Sequence, residues 1–278
     1  MDGEVAQLAA LVISANHRLS QPDDPMGWFA QQRAFGSCGK ISFHAVQTRR
    51  FRSTRKTPVA QTPSEWLGRL ADSGVKRIVL NFVRQDDDAE TGDTLPDRIA
   101  AGFSGGGSLW TMSTQTTDGG ALAWQPEWRA AFPDAQDGRI WSVDYIAKPA
   151  PPAPTGVGVV QAAKDLGAAV TAIRSFAQAH QFENVAAIFA SALCLLEGRP
   201  DPRPYPRPPG PADTLNEDAR RLLYAAQRAW VFDNMGLWKD QDFSHDLWKQ
   251  YARLSEALYE AVTAAMVAAV NASVSGAR

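Results

Sequence analysis

Cysteine and histidine are scarce in this sequence, and their scarcity excludes several classes of protein. The two cysteines, Cys38 and Cys194, lie far apart, and neither has a neighbour at the spacing of metal ligands. This excludes a disulfide framework and a zinc finger, and lone thiols fit a reducing compartment, so we expect a cytoplasmic protein. No histidine pair has ligand spacing either, and we expect no metal and no other cofactor. The four histidines are His17, His44, His180 and His245.

Long apolar runs and an excess of one charge are also missing. No segment reaches the roughly 18–20 apolar residues that cross a bilayer, and the N-terminus does not have the basic start and cleavage site of a signal peptide. Lysine and arginine number 28 against 30 aspartate and glutamate, which leaves a net charge of −2. We therefore expect neither nucleic acid nor a membrane as partner, and the oligomeric state stays open.

The pattern of secondary structure changes in the middle of the chain. The 278 residues suffice for one large or two small domains. Strand and helix patterns alternate in the first half, whereas helical periodicity alone follows the proline-rich segment KPAPPAPTG, which cannot continue a strand ladder. We predict the α+β class, with an N-terminal mixed sheet with helices followed by a C-terminal four-helix region. The predicted domains are an α+β domain (1–148), a proline-rich linker (149–156) and a helical bundle (157–278).

Several segments of the first half have clear local patterns. Residues 40–47 alternate as a strand does, and residues 62–65 (TPSE) have the residues of a capped helix start. Residues 118–119 (DG) predict a tight hairpin, and residues 139–148 alternate as the last strand. Residues 76–83 (KRIVLNFV) are apolar almost throughout, which predicts a strand buried on both faces in the middle of the sheet.

The helical segments differ in how their apolar residues are distributed. The N-terminal segment predicts an amphipathic helix, whereas residues 182–196 are apolar nearly all round and predict the buried central helix. Thr214 and Glu217 match a capping box that starts one helix, and a last helix is predicted to begin near Ser244. We expect these two helices to form an antiparallel hairpin that buries Trp230 and Leu254.

One segment, residues 48–56 (TRRFRSTRK), has a local excess of positive charge. We interpret it as a strand that pairs with residues 40–47 or as the loop leaving that strand. On a strand, alternate guanidinium groups share a face and can bind carboxylates or phosphates. The alternative is an edge strand that its charges protect from aggregation. The candidate binding residues here are Arg49, Arg50, Arg52 and Arg55.

The segment between the last two helices is rich in aromatic residues. Its simplest interpretation is that Trp230 and Trp238 hold the two helices together. The alternative is a pocket for a ligand or partner, since tryptophan is frequent at the energetic centres of interfaces. Trp238 is therefore a further candidate binding residue.

Two motifs of enzymes are present in incomplete form. Ser104 lies in GFSGG, which matches G-x-S-x-G, but a nucleophile elbow needs a strand before the serine and a helix after it. The predicted order here is the reverse. Asp86–Asp88 follow the apolar strand, where carboxylates can hold Mg²⁺, yet three adjacent carboxylates fit a solvated loop better. We predict no catalytic residue and no metal ligand.

These observations favour a non-catalytic accessory or adaptor protein that binds a peptide or protein segment of acidic character. A basic sheet edge could accept such a segment by strand addition. The alternative is an enzyme acting on a small phosphorylated or carboxylated substrate in a cleft between the two halves.

Overall fold

The computed structural model describes residues 3–23, 32–48, 54–84, 97–101, 109–151, 156–201, 203–204, 209–232 and 244–273. Six strands form one sheet in the order β2-β1-β6-β5-β4-β3. The strands are β1 (Cys38–Thr48), β2 (Thr54–Ala60), β3 (Val75–Val83), β4 (Leu109–Thr116), β5 (Ala121–Ala130) and β6 (Trp141–Pro149). The β1–β6 pair is parallel and the other pairs are antiparallel, so the sheet is mixed, as predicted.

The helices are α1 (Glu4–Ser20), α2 (Pro63–Asp72), α3 (Asp97–Ala100), α4 (Val159–Ala179), α5 (Glu183–Leu196), α6 (Glu217–Ala229) and α7 (His245–Asn271). α4 packs against α5 and α7, and α6 packs against the same two helices. The four therefore form the predicted helical region, and the α+β class is confirmed. Most buried apolar residues of the sheet and of these helices belong to one continuous cluster. The domain limits at residues 149–156 stay a prediction.

Local signals explain several element boundaries. Thr62 Oγ1 accepts a hydrogen bond from the Glu65 N–H at 3.1 Å, and Glu65 Oε2 accepts one from the Gln61 N–H at 2.8 Å. This capping box starts α2 as predicted. In the β4–β5 hairpin Gly119 has a φ of 89°, a conformation that glycine adopts without a steric cost.

Aromatic side chains fill the face of the sheet against which α1 and α2 pack. The Phe43 ring stacks on Trp66 of α2 with a centroid distance of 4.7 Å, and on Tyr145 at 5.1 Å. Trp124 meets both Phe43 and Trp66 edge to face. The alternation predicted for β1 and β6 therefore places their apolar residues in this core.

The central helix is α1 rather than the segment 182–196. Every residue of α1 from Val5 to His17 is buried, because the helix contacts the sheet, α2 and α7. The prediction for residues 182–196 was wrong: α5 exposes one side, at Glu183, Asn184 and Ala187. Burial of α1 was missed because its polar residues interrupt the apolar pattern and are instead hydrogen-bonded inside the protein.

The predicted position of the apolar strand was also wrong. β3 lies at the edge of the sheet, not in its middle. Its sequence is as apolar as that of a central strand because α1 and α7 cover it. The start of α6 differs as well: Asn216, not Thr214, caps the helix by accepting the Ala219 N–H at 2.9 Å. Trp230 is buried and Leu254 is half-buried.

Candidate functional site

Two asparagine side chains, one buried and one half-buried, close part of the unpaired edge of β3. Asn16 of α1 donates to the Ile78 carbonyl at 2.8 Å and accepts the Ile78 N–H at 3.0 Å. Asn271, the last residue of α7, donates to the Leu80 carbonyl at 3.0 Å and accepts the Leu80 N–H at 2.7 Å. Each carboxamide thus occupies the place of a peptide group of a neighbouring strand.

A cleft of about 570 Å³ begins where the second asparagine ends, and we call it the β3–α7 cleft. One wall is formed by the last four residues of β3, from Leu80 to Val83, and by Arg84, which follows the strand. Successive side chains of a strand point to opposite faces, so consecutive residues can line one cleft only when it reaches the edge of the strand. Leu80 is fully buried, and its N–H and C=O are bonded to Asn271 at this end of the wall.

The opposite wall is one face of α7. It presents Glu260, Thr263, Ala264, Val267 and Asn271, which recur every three or four residues and so share one side of the helix. The Thr263 hydroxyl donates to carbonyls of the preceding helical turn.

The floor of the cleft is polar and uncharged. Asn81 of β3 lies beside Thr111 and Ser113 of β4, and its Nδ2 donates to Ser113 Oγ at 2.7 Å. Ala123 of β5 continues the floor. The arrangement offers hydroxyl and carboxamide groups for neutral hydrogen bonds.

Charged side chains are confined to one end of the cleft. Arg84 Nη1 donates to Glu260 Oε1 at 2.7 Å, and Nη2 binds Glu256. Arg98 Nε lies 3.3 Å from the second oxygen of Glu256. The Tyr259 hydroxyl sits beside this network, and burial together with the nearby carboxylates raises its pKa. Tyr259 is therefore a neutral phenol at physiological pH.

Apolar side chains are exposed at the mouth of the cleft. Val83 and Val157, which both line it, are 53% and 49% exposed. Ala150, Pro151 and Gly156 complete the lining on the side of Val157. Aliphatic side chains in such positions are available to a ligand with an apolar part.

A separate cluster of charges lies on the polar face of the sheet. Lys56 Nζ of β2 binds Glu127 Oε2 of β5 at 2.6 Å, although two strands lie between them. Three strand spacings measure about 14 Å, so the two long side chains must extend towards each other over β1 and β6. Next to this ion pair, Asp144 of β6 binds Arg129 and accepts a hydrogen bond from the Ser42 hydroxyl.

This cluster does not have the geometry of a nucleophilic triad. His44 Nε2 lies 3.2 Å from Ser42 Oγ and 3.5 Å from Asp144 Oδ1. In a triad the imidazole stands between the serine and the carboxylate, whereas here Ser42 donates to Asp144 directly and has no exposed surface. Burial acts to raise the pKa of Asp144, but the Ser42 hydrogen bond and the Arg129 charge outweigh it, so the pKa is lowered.

The residues singled out in the sequence fall largely outside the described ranges. Arg49, Arg50, Arg52, Trp238, Ser104 and Asp86–Asp88 all lie there. The backbone of Arg55 belongs to β2, opposite Gln47 of β1, and β2 is an edge strand. Of the histidines, His17 Nδ1 lies 3.0 Å from Thr214 Oγ1 and His180 packs on Phe176.

The residues of the β3–α7 cleft were not predicted. Asn81 interrupts an apolar strand, and Asn16 and Asn271 stand in otherwise apolar helices. An isolated carboxamide in an apolar segment needs a hydrogen-bond partner once it is buried. That pattern is the signal that points to these positions.

Comparison with protein-family models, with curated proteins and with solved structures finds no match to this chain. No group of three or more His, Cys, Asp or Glu side chains placed to hold a metal ion occurs within the described ranges. None of the helices described is long and apolar enough to span a membrane.

Proposed function

We propose that this chain is a non-catalytic accessory or adaptor protein that holds a peptide or protein segment in the β3–α7 cleft. One observation carries the proposal: between the sheet and the last helix lies a cleft of about 570 Å³ that combines neutral hydrogen-bonding groups with exposed aliphatic surface. This volume lies in the range of about 300–1,000 Å³ of ordinary ligand sites.

The lining favours binding over chemistry. Catalysis of acyl or phosphoryl transfer needs a nucleophile next to a base, or cations aimed at a developing charge. Among the lining residues described, the hydroxyls of Thr111 and Ser113 have Asn81 as their neighbour rather than a base.

The alternative function is an enzyme that acts on a small phosphorylated or carboxylated substrate. It was expected between the two halves, and the β3–α7 cleft is lined by residues of both parts of the chain. Arg84 is the one cationic side chain in the described lining, and two glutamates already bind it. A substrate anion would have to displace Glu256 and Glu260, which makes this function the weaker proposal.

The proposal is tested by filling the cleft. Ala264 is half-buried on the α7 wall, and Ala264→Trp would place an indole where the ligand is expected. Ala187→Trp, on the exposed side of α5, is a matched control. The probe is the tightest-binding peptide from a phage-displayed random library selected on the wild-type protein.

Titration calorimetry with this peptide should show at least tenfold weaker binding to Ala264→Trp and unchanged binding to Ala187→Trp. Circular dichroism verifies that both variants are folded. Equal affinity of the two variants, or a library that yields no binder, would contradict the proposal.

A second binding site remains a candidate at the opposite edge of the sheet. β2 is an edge strand, and the basic residues precede it and continue into it at Arg55 and Lys56. This supports the expectation of an acidic cytoplasmic partner that adds to this edge, with Trp238 as a further contact. Reversing Arg50 and Arg52 to glutamate should weaken capture of an acidic partner and reduce its salt dependence. Equal capture at low and moderate salt would remove this edge from consideration.

A further inference from the structure

The course of the cleft along a strand edge identifies how a ligand is held. We propose that the bound segment is extended and adds to the six-stranded sheet as a further strand alongside β3, hydrogen-bonding to the backbone of Phe82. This inference rests on the proposed function, because it specifies how the peptide binds in the β3–α7 cleft.

The hydrogen bonds of β3 show which backbone groups face the cleft. Ile78 and Leu80 direct their N–H and C=O groups away from β4, towards the two asparagines. In an antiparallel pair these directions alternate with every residue. Phe82, two positions after Leu80 and paired with Trp110, therefore directs its N–H and C=O to the same side, where the wall of the cleft begins.

The same edge indicates the chemistry of the occupant. Along β3 the outward positions at Ile78 and Leu80 are filled by carboxamide groups, which are the side-chain equivalent of a peptide group. The next such position, Phe82, faces the cleft, and no side chain among the described residues is hydrogen-bonded to it. A backbone amide of a bound segment continues the pattern with the same geometry, as in other complexes formed by strand addition.

The ends of the cleft limit the length and charge of the bound segment. Asn271 closes one end at Leu80, and the Arg84–Glu260 ion pair lies at the other. Four residue steps separate Leu80 and Arg84, about 14 Å in a strand, so about four residues of the ligand lie in the cleft. Because Asn81 and Val83, the neighbouring side chains of β3 that line the cleft, are uncharged, we infer uncharged residues such as valine, threonine or serine at these positions.

The test uses the selected peptide, methylated at one backbone nitrogen at a time. N-methylation removes a donor and adds bulk, and in a paired strand only alternate residues direct their backbone to the neighbour. Strand addition predicts that affinity falls tenfold or more at alternate positions of a stretch of about four residues. At the positions between them it should change by less than about threefold. The protein itself is unaltered, so its folding does not enter the comparison.

Each outcome of this scan decides a separate point. Losses that recur every three or four residues indicate a helical ligand, and uniformly small losses indicate recognition by side chains. Either result overturns the strand-addition inference while leaving peptide binding intact. A peptide that binds Ala264→Trp as tightly as wild type, or no selected peptide at all, overturns the proposed function and the inference together.

Discussion

Removing the carboxamide of Asn16 should destabilise the fold strongly, because this group is hydrogen-bonded to the backbone of Ile78, a residue with no exposed surface. Asn16 is 2% exposed, and Ile78, whose N–H and C=O it satisfies, is fully buried. Asn16→Ala leaves both groups without a partner. Each buried and unsatisfied polar group costs about 1–3 kcal/mol, so the loss of both partners should lower the free energy of unfolding by about 2–6 kcal/mol.

The equivalent change at the cleft should cost less. Asn271 makes the same pair of bonds to Leu80 but is half-buried and lines the β3–α7 cleft, where water can replace it. The loss is then the net value of the hydrogen bonds, about 0.5–1.5 kcal/mol for each bond. Asn184→Ala, on the exposed side of α5, is a matched control that should stay within about 0.5 kcal/mol of wild type.

Urea denaturation followed by circular dichroism measures all three variants. A change of midpoint at constant slope reports stability alone. The expected order of destabilisation is Asn16→Ala, then Asn271→Ala, then Asn184→Ala. Equal and small effects at Asn16 and Asn271 would refute the reasoning, because the carboxamides would then not act as caps of the β3 edge.

Three further predictions concern stability. Trp230 is buried against Phe232 and Tyr259, so Trp230→Ala should cost about 3–5 kcal/mol, and an unchanged melting midpoint would contradict this. Burial raises the pKa of Glu4 from 4.5 to about 7, so stability is lost as the pH rises from 4.5 to 7. Glu4→Gln should then raise the free energy of unfolding in urea by up to about 3 kcal/mol at pH 8 and change it little at pH 4. An equal increase at pH 8 and pH 4 would show that the charge of Glu4 is not the cause. The pKa of Asp144 is lowered, so the stability that its charged form contributes is lost as the pH falls below about 4. The loss of unfolding free energy caused by Asp144→Asn, measured by urea denaturation, should therefore be smaller at pH 3 than at pH 7; an equal loss at both would contradict this.

The features that the sequence predicts correctly depend on short-range chemistry. The capping box at Thr62 and Glu65 and the turn at Gly119 are decided within a few residues of the chain. The alternating faces of β6 follow from the geometry of a strand, and the structure places Val143 and Tyr145 in the core. Such features need no knowledge of what the segment packs against.

The features that were predicted wrongly depend on distant partners. An edge strand with an apolar sequence is indistinguishable from a central one until α1 and α7 are known to cover it. The competition between Thr214 and Asn216 for the cap of α6 is another example. Thr214 lies next to His17, almost 200 residues away in sequence, and the helix begins at the following polar residue instead.

The candidate site could not be predicted because its walls come from distant parts of the chain. Phe82 and Ala264 face one cleft, although each belongs to a different half of the protein. Neither has a distinctive residue type. The one sequence signal near the site was the isolated asparagines, and these indicate buried hydrogen bonds rather than the position of a cleft.

Amide hydrogen exchange at Phe82 tests most directly whether a peptide adds to the β3 edge. In the free protein the amides of Ile78 and Leu80 are bonded to asparagine side chains and should exchange slowly. Saturation with the selected peptide should slow exchange of the Phe82 amide at least tenfold, with little change at Ile78. An exchange rate of Phe82 that is the same in the free and the saturated protein would contradict strand addition at this edge.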